Sequence, residues 1–448
     1  MKARIVNSKS VLSTKRFDGS YHNAEVNVYN LVIEQHSTHR LKYYCTEIFT
    51  SGRNKRVYTS KEYGYPFLSN SDVVAANPFL SCKYSSRKYG YDESAVLRKG
   101  MILTGRVGAI GQTAFVPEYL EKAKAMGSDN IIRICVKPEY KNGFIYAYLA
   151  SKIGNLSFWK HATGGVQPFI TDAMVGELPI PNFPESFQKE VDDLIQESSR
   201  LREEAAEALE EAKRLIEELF PEVHTERIGR VCSSEIFSSL GKRFEASFHQ
   251  SLGKEYDTYI KEHFQWEPLS KMASVSRPDL FKRNYVKNGL MFLGGRDIFL
   301  STPKSDKFVS KTKTPDIPSL VIKEGTILMP RSGTIGEVAI ATSQHAQKLA
   351  SEDVIRISAD NILRAGYLYA FLSSSIGKAL IQRYIFGSVI QHVEPHQLNH
   401  IPVPILIEDK MNAISDLSIS NKDKLGKAGE LENKAISMVE QEIEKWNN

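Results

Sequence analysis

The stretch GMILTGRVGAIG at residues 100–111 returns as GTILMPRSGTIG at 325–336, and both fit the pattern G-x-I-L-x-x-R-x-G-x-I-G. Five further blocks repeat around it in the same order. KRFDGSYHN at 15–23 returns as KRFEASFHQ at 242–250, and PFLSNSDV at 66–73 as MFLGGRDI at 291–298. NIIRI at 130–134 matches DVIRI at 353–357, GFIYAYLASKIG at 143–154 matches GYLYAFLSSSIG at 366–377, and GELPIPNF at 176–183 matches NHIPVPIL at 399–406. The offset stays between 223 and 227 residues throughout. Ordered matches at a nearly constant offset make the chain a tandem duplication. Residues 74–96 and 112–127 share little with their partners. A common framework with divergent loops is what one binding scaffold used twice on different targets would leave.

Within each copy, MILTGRVG and TILMPRSG read as a strand entering a glycine turn, followed by a second strand, AIGQTAFV or TIGEVAIA. IIRICV and VIRISA read as further strands. GFIYAYLASKIGNLSFW and AGYLYAFLSSSIGKALIQRY have the apolar spacing of a helix. Each copy is therefore expected to be a mixed domain of the α+β class with a curled sheet, ended by the PIP or PVP segment because proline cannot continue a helix.

The segments after each copy differ in kind. Residues 185–220 contain no Gly or Pro, and Val191, Leu194, Ser198, Leu201, Ala205, Ala208, Ala212, Leu215 and Leu219 alternate by three and four, a heptad seam. At 1.5 Å per residue such a helix is roughly 50 Å long. Residues 409–447 repeat the pattern more weakly through Ile414, Leu417, Asn421, Ala428, Leu431, Ala435 and Met438, with Gly426 and Gly429 expected to loosen the middle. A lone helix of this kind is marginal in water. Either the two pack antiparallel, which buries both seams, or each lies on its own domain. The resulting division is residues 1–184, a first domain; 185–220, a first spacer helix; 221–407, a linker and second domain; and 408–448, a second spacer helix.

With 448 residues, 42% hydrophobic and 25% charged, the chain is expected to fold as more than one domain. It has no apolar run of roughly 20 residues for a membrane helix and no apolar core in its first residues for a secretory signal. Cys45, Cys82, Cys135 and Cys232 are far apart with no CxxC pair, as expected of reduced thiols in a cytoplasm. Net charge is +5 overall, but −7 within 184–220 and −2 within 409–448, so the rest of the chain carries +14. Basic domains beside acidic helices suit a polyanionic partner.

Catalytic signatures are lacking. GRVGAIG at 105–111 has GxxGxxG spacing and no following Lys-Ser/Thr pair, so it is not a phosphate loop; Gly108, Gly111, Gly333 and Gly336 are better suited to a tight turn. ANPFL at 76–80 resembles the Asn-Pro-Pro-Tyr motif of amino methyltransferases but lacks its second proline and aromatic. His392, His396 and His400 are interrupted by Pro395, and no HExxH accompanies them. What remains is recognition chemistry. Arg106 and Arg331 occupy the same slot of both turns, where a rigid bidentate donor could reach a phosphate or base edge, or pair with a carboxylate such as Asp72 or Asp297. The divergent loops add Lys83, Arg87, Lys88 and Tyr89 in the first copy and Lys304, Lys307, Lys311 and Lys313 in the second. GGVQPF and GSVIQH place Gln167 and Gln391 after a glycine pair or Gly-Ser, and Gln can read adenine.

The repeated strand-turn blocks, and the ELPIPNF and HIPVPIL segments before long helices, resemble the specificity subunits of Type I restriction-modification systems across essentially the whole chain. The resemblance implies a non-catalytic subunit with two target-recognition domains, each reading half of a split site in double-stranded DNA. The two helices would act as a ruler for the gap. It further implies two methyltransferase partners binding S-adenosylmethionine, and restriction-translocase partners using ATP and Mg, with no cofactor on this chain. A specificity protein of a related defence system (bifunctional restriction-modification or phage exclusion) would share the layout. A coiled-coil scaffold binding proteins instead of DNA is the other reading.

Overall fold

The computed structural model describes residues 6, 8–22, 27–36, 39–53, 55–223 and 229–446. It divides into two compact units, Met1–Glu203 with Ala428–Asn448, and Glu204–Lys427.

The first unit is built on a four-stranded antiparallel sheet in the order Cys45–Thr50, Ile131–Val136, Ile102–Gly105, Thr113–Phe115. Its central strands are apolar on both faces because both faces are covered. Ile102, Ile132 and Ile134 belong to the cluster formed with the helical layer, whereas Leu103 and Ile131 belong to the cluster on the opposite face. A second sheet runs Tyr58–Thr59, Lys83–Ser86, Gly64–Leu68, Met126–Gly127, with the last pairing parallel.

The second unit repeats the plan. Ala273–Ser276, Val354–Ala359, Ile327–Pro330 and Ala339–Ile340 form its antiparallel sheet. Phe308–Val309, Tyr285–Leu293 and Leu349–Ala350 form the second sheet, again with a parallel last pair.

Two repeated arginines explain two of the repeated blocks. In KRF, Arg16 donates to the carbonyls of His161 and Ala162 at 3.2 and 3.1 Å while pairing with Asp18. Arg243 does the same to Tyr384 and Ile385, at 3.5 and 2.7 Å, while pairing with Glu245. In NIIRI and DVIRI, Arg133 and Arg356 are buried, and neither has an ion pair to a carboxylate among the described residues. Arg133 donates to the carbonyls of Ser128, Ile131, Ala95 and Gly127, and Arg356 to those of Ser351, Val354, Leu320 and Ala350. Burial pushes both guanidinium groups down to about 10. Each arginine ties its central strand to the backbone that enters the second sheet.

The single helix expected over GFIYAYLASKIGNLSFW is two, Asn142–Ala150 and Lys152–His161; its partner is likewise Ile362–Ser373 and Ser375–Arg383. The hydroxyls of Ser151 and Ser374 cap the second helices by accepting from the N–H of Gly154 and Gly377.

The spacer helices run Glu185–Glu217 and Glu408–Lys445. In the first unit their segments are antiparallel: Phe183 stacks on Trp446 with 4.5 Å between centroids, and Ser198 Oγ donates to the Ala428 carbonyl at 2.8 Å. In the second unit Asn421 Nδ2 donates to the Ala205 carbonyl at 2.7 Å, and Ala212, Ile216 and Ile414 share one cluster. The buried stripe is wider than the heptad reading. Val191, Ser198, Ala205 and Ala212 are buried as expected, but so are Ile195, Leu209 and Ile216, whereas Leu194, Leu201, Ala208 and Leu215 are only partly covered. A second neighbour is the cause. A Cβ added to Gly143 would sit 3.0 Å from Ile195 Cβ, and one added to the matching Gly366 would sit 2.8 Å from the Ser415 carbonyl oxygen. The helices pack on each other and on the body of their own unit. Gly426, expected to loosen the second helix, stays helical; its missing side chain admits Ser343, whose Oγ would lie 2.9 Å from an added Cβ.

Candidate nucleic-acid interface

The glycine turn and the Gly-Val loop are adjacent in each unit. In the first, the Arg106 N–H donates to the Asn130 carbonyl at 2.8 Å, and the Ile170 N–H donates to the Arg106 carbonyl at 3.0 Å. Thr163 and Phe169 close the loop by two 2.8 Å backbone bonds, and Val107 bridges to Phe169. In the second, the Arg331 N–H donates to the Asp353 carbonyl at 2.8 Å, the Val393 N–H donates to the Arg331 carbonyl at 3.1 Å, and Phe386 and His392 close the loop. Gly108, Gly111, Gly333 and Gly336 all have positive φ, between 75° and 97°, so the turn requires them. An added Cβ on Gly108 or Gly333 would meet nothing within 4 Å, which leaves the turn open to a ligand.

The two arginines of these turns differ. Arg106 is half-buried and makes no side-chain hydrogen bond or ion pair among the described residues. Arg331 donates to Glu394 at 2.8 Å and to Asp353 at 3.2 Å, and Glu394 also takes Arg277 at 3.0 Å. Burial alone would raise the Glu394 carboxyl, but the bonds from Arg331 and Arg277 outweigh it and hold it below its ordinary value. The matching residues of the first unit are Asn130 and Thr171, which carry no charge. Neither Asp72 nor Asp297 is the partner: each instead accepts the N–H that opens its own turn, of Ser69 and Gly294, at 2.8 Å.

Gln167 and Gln391 are both exposed on these loops but do not match each other. The bridges pair Phe169 with His392 in position, so Ile390 stands where Gln167 does and Pro168 where Gln391 does.

Lys83, Arg87, Lys88 and Tyr89 lie on the second sheet of the first unit and its following turn. Lys83 Nζ sits 4.7 Å from the Tyr58 ring centre, the Arg87 guanidinium 5.2 Å from Tyr65, and Lys88 Nζ 5.2 Å from Tyr89, which is 68% exposed. Lys83 pairs with Phe67, and Asn70, just past that strand, donates to the Val107 carbonyl at 3.2 Å. The Lys83 end of this sheet is thus the end beside the Arg106 turn, and the Arg87 end is away from it. Tyr58 and Tyr65 come from SGRNKRVYTSKEYGY at 51–65, outside the segments singled out above, which has the same interleaving of cations and tyrosines as KYSSRKYGY.

In the second unit Lys304, Lys307, Lys311 and Lys313 are exposed, with no ion pair or ring contact among the described residues. They cluster around the Phe308–Val309 strand, beside the exposed start of Tyr285–Leu293.

No group of three or more His, Cys, Asp or Glu that could hold a metal ion occurs among the described residues. Asn77 of ANPFL is engaged locally, its Oδ1 accepting the Phe79 N–H at 3.0 Å. No helix among the described residues is long and apolar enough to cross a membrane.

No family model matches the sequence, and no curated protein matches it. Solved structures do. The Type-I restriction-modification system S subunit from M. genitalium is 13% identical, with 91% of this chain and 94% of that one covered and a TM-score of 0.32. The HsdS subunit from Thermoanaerobacter tengcongensis is 15% identical over 90% and 95% of the two chains, with a TM-score of 0.27. A chain from a study of complex assembly and conformational transition of the type I R-M system is 14% identical over 91% and 95%, with a TM-score of 0.30. Two of these neighbours are S subunits of Type I restriction-modification systems, aligned over about nine-tenths of this chain at low identity.

Proposed function

We propose that the chain is the DNA-reading subunit of a Type I restriction-modification complex and has no catalytic role of its own. Each unit reads one half of a split site in double-stranded DNA. The observation that carries this is the duplicated recognition surface: the same open glycine turn and braced loop in both units, beside exposed basic segments that differ between them. Phosphate contacts from the exposed lysines and arginines supply affinity, and base-edge contacts from the divergent loops supply sequence. Joining two modest readers in one chain makes the second contact intramolecular.

In this reading the partners are two methyltransferase subunits and the restriction-translocase subunits, acting in the cytoplasm where the DNA is. S-adenosylmethionine, ATP and Mg belong to those partners. The paired helices set the gap between half-sites. Removing four residues, about one turn, from each should change the preferred gap by about one to two base pairs. Selection of the full-length chain on a random-sequence duplex pool tests the proposal. Two half-sites at a fixed spacing are expected, with affinity falling steeply as salt rises. Binding that is indifferent to salt and sequence would leave the protein-scaffold reading.

A further inference from the structure

At the crown of each braced loop stands a valine with its side chain in solvent: Val166 is 103% exposed and Val389 93%. One exposed apolar side chain needs no explanation. Here the same residue type occupies the same place in both copies, while its neighbours change from Gly165, Gln167 and Pro168 to Ser388, Ile390 and Gln391. The loop is built to present it. Gly164 and Gly387 turn the chain at φ of 98° and 95°. An added Cβ there would lie 2.8 Å from the Gln167 carbonyl oxygen and 2.4 Å from that of Ile390, so the loop is folded tightly on itself. Its base is clamped by the Thr163–Phe169 and Phe386–His392 bonds and tied to the arginine turn.

A valine side chain has no donor or acceptor and can recognise only an apolar group. On the major-groove edge of DNA the one apolar group that distinguishes a base is the thymine 5-methyl. A crown of five residues between clamped ends is narrow enough for a groove about 12 Å wide. We infer that Val166 and Val389 each read a thymine methyl, one in each half-site. In the first unit the adjacent Gln167 is placed to take a neighbouring adenine. In the second, Ile390, 62% exposed, widens the apolar surface, so the thymine dependence is larger there. This inference rests on the DNA-reading function proposed above.

The test uses the full-length chain and the duplex recovered by selection, with each thymine replaced in turn by uracil, which removes only the methyl. One replacement in each half-site is expected to weaken binding about threefold to fivefold, the effect of one buried methyl. Val166→Ala should abolish the uracil effect in one half-site, and Val389→Ala should shrink it in the other, where Ile390 remains, each leaving the opposite half-site unchanged. A flat uracil scan would overturn the inference. So would valine variants that weaken thymine and uracil duplexes alike, which would mark a wedge or a phosphate-side contact instead. Loss of salt-dependent DNA binding by the unaltered chain would remove the underlying function as well, which separates the two failures.

Discussion

Arg106 and Arg331 occupy one slot of one turn in two copies of one scaffold, yet only one of them is available. Their backbones are held alike, by the carbonyl of residue 130 or 353 and by the N–H of residue 170 or 393. What differs is the surroundings: Asn130 and Thr171 put no charge beside Arg106, whereas Asp353 and Glu394 occupy Arg331. A repeated residue therefore keeps its backbone role in both copies, while its side chain is engaged by carboxylates in only one. In the first unit the cations are single groups beside the turn or stacked on tyrosines. In the second the turn arginine is neutralised, and unpaired lysines lie around a neighbouring strand.

The strongest perturbation should fall on what the copies share. Arg133→Met or Arg356→Met strips the donors from four carbonyls apiece, and each should cost about 3–5 kcal/mol in urea unfolding. A loss under about 1 kcal/mol in either would break the equivalence of the two scaffolds. Next come the lysines. Replacing Lys304, Lys307, Lys311 and Lys313 together by alanine should reduce the slope of log affinity against log salt by about 3–4 if each meets a phosphate. An unchanged slope would move the electrostatic contact elsewhere.

A smaller and sharper contrast lies in the arginines. Arg106→Ala should weaken DNA binding about tenfold with the fold intact, and Arg331→Ala by less than about twofold while costing the second unit about 1–2 kcal/mol of stability. Placing Asp at 130 and Glu at 171 together should tether Arg106 and reproduce most of the Arg106→Ala loss. Equal effects of the two alanine variants on binding would erase the asymmetry. The smallest effect is with pH. The depressed Glu394 carboxyl stabilises the second unit above its ordinary value of 4.5, and that contribution is lost as pH falls through the lower folded value. The stability gap between the unaltered chain and Glu394→Gln should therefore close in acid, followed by thermal unfolding from pH 5 downward. A gap that stays constant would show the carboxyl is not held by its arginines.

Much of the fold was legible because the duplication exposed it: the glycine turns, the central strands and the long helices all stand in repeated blocks. Three things were not. Arg133 and Arg356 look like surface charges in a strand, and only the fold reveals the carbonyls gathered around them. The helical stripe was read one residue too narrow, since a heptad seam records a single neighbour and this helix has two. Arg331 meets Glu394 across 63 residues of sequence, a distance over which spacing carries no signal. The candidate recognition residues were named from chemistry and position alone, and Gln167 and Gln391, alike in type, stand one place out of register in the two loops.

The most direct test of the central claim is single-molecule methylation sequencing of host DNA, with the gene intact and deleted and the partner methyltransferase present throughout. The account predicts methylated adenine at one motif of two half-sites with a fixed gap, all of it lost on deletion. Methylation that persists without this chain, or no motif that depends on it, would contradict the account.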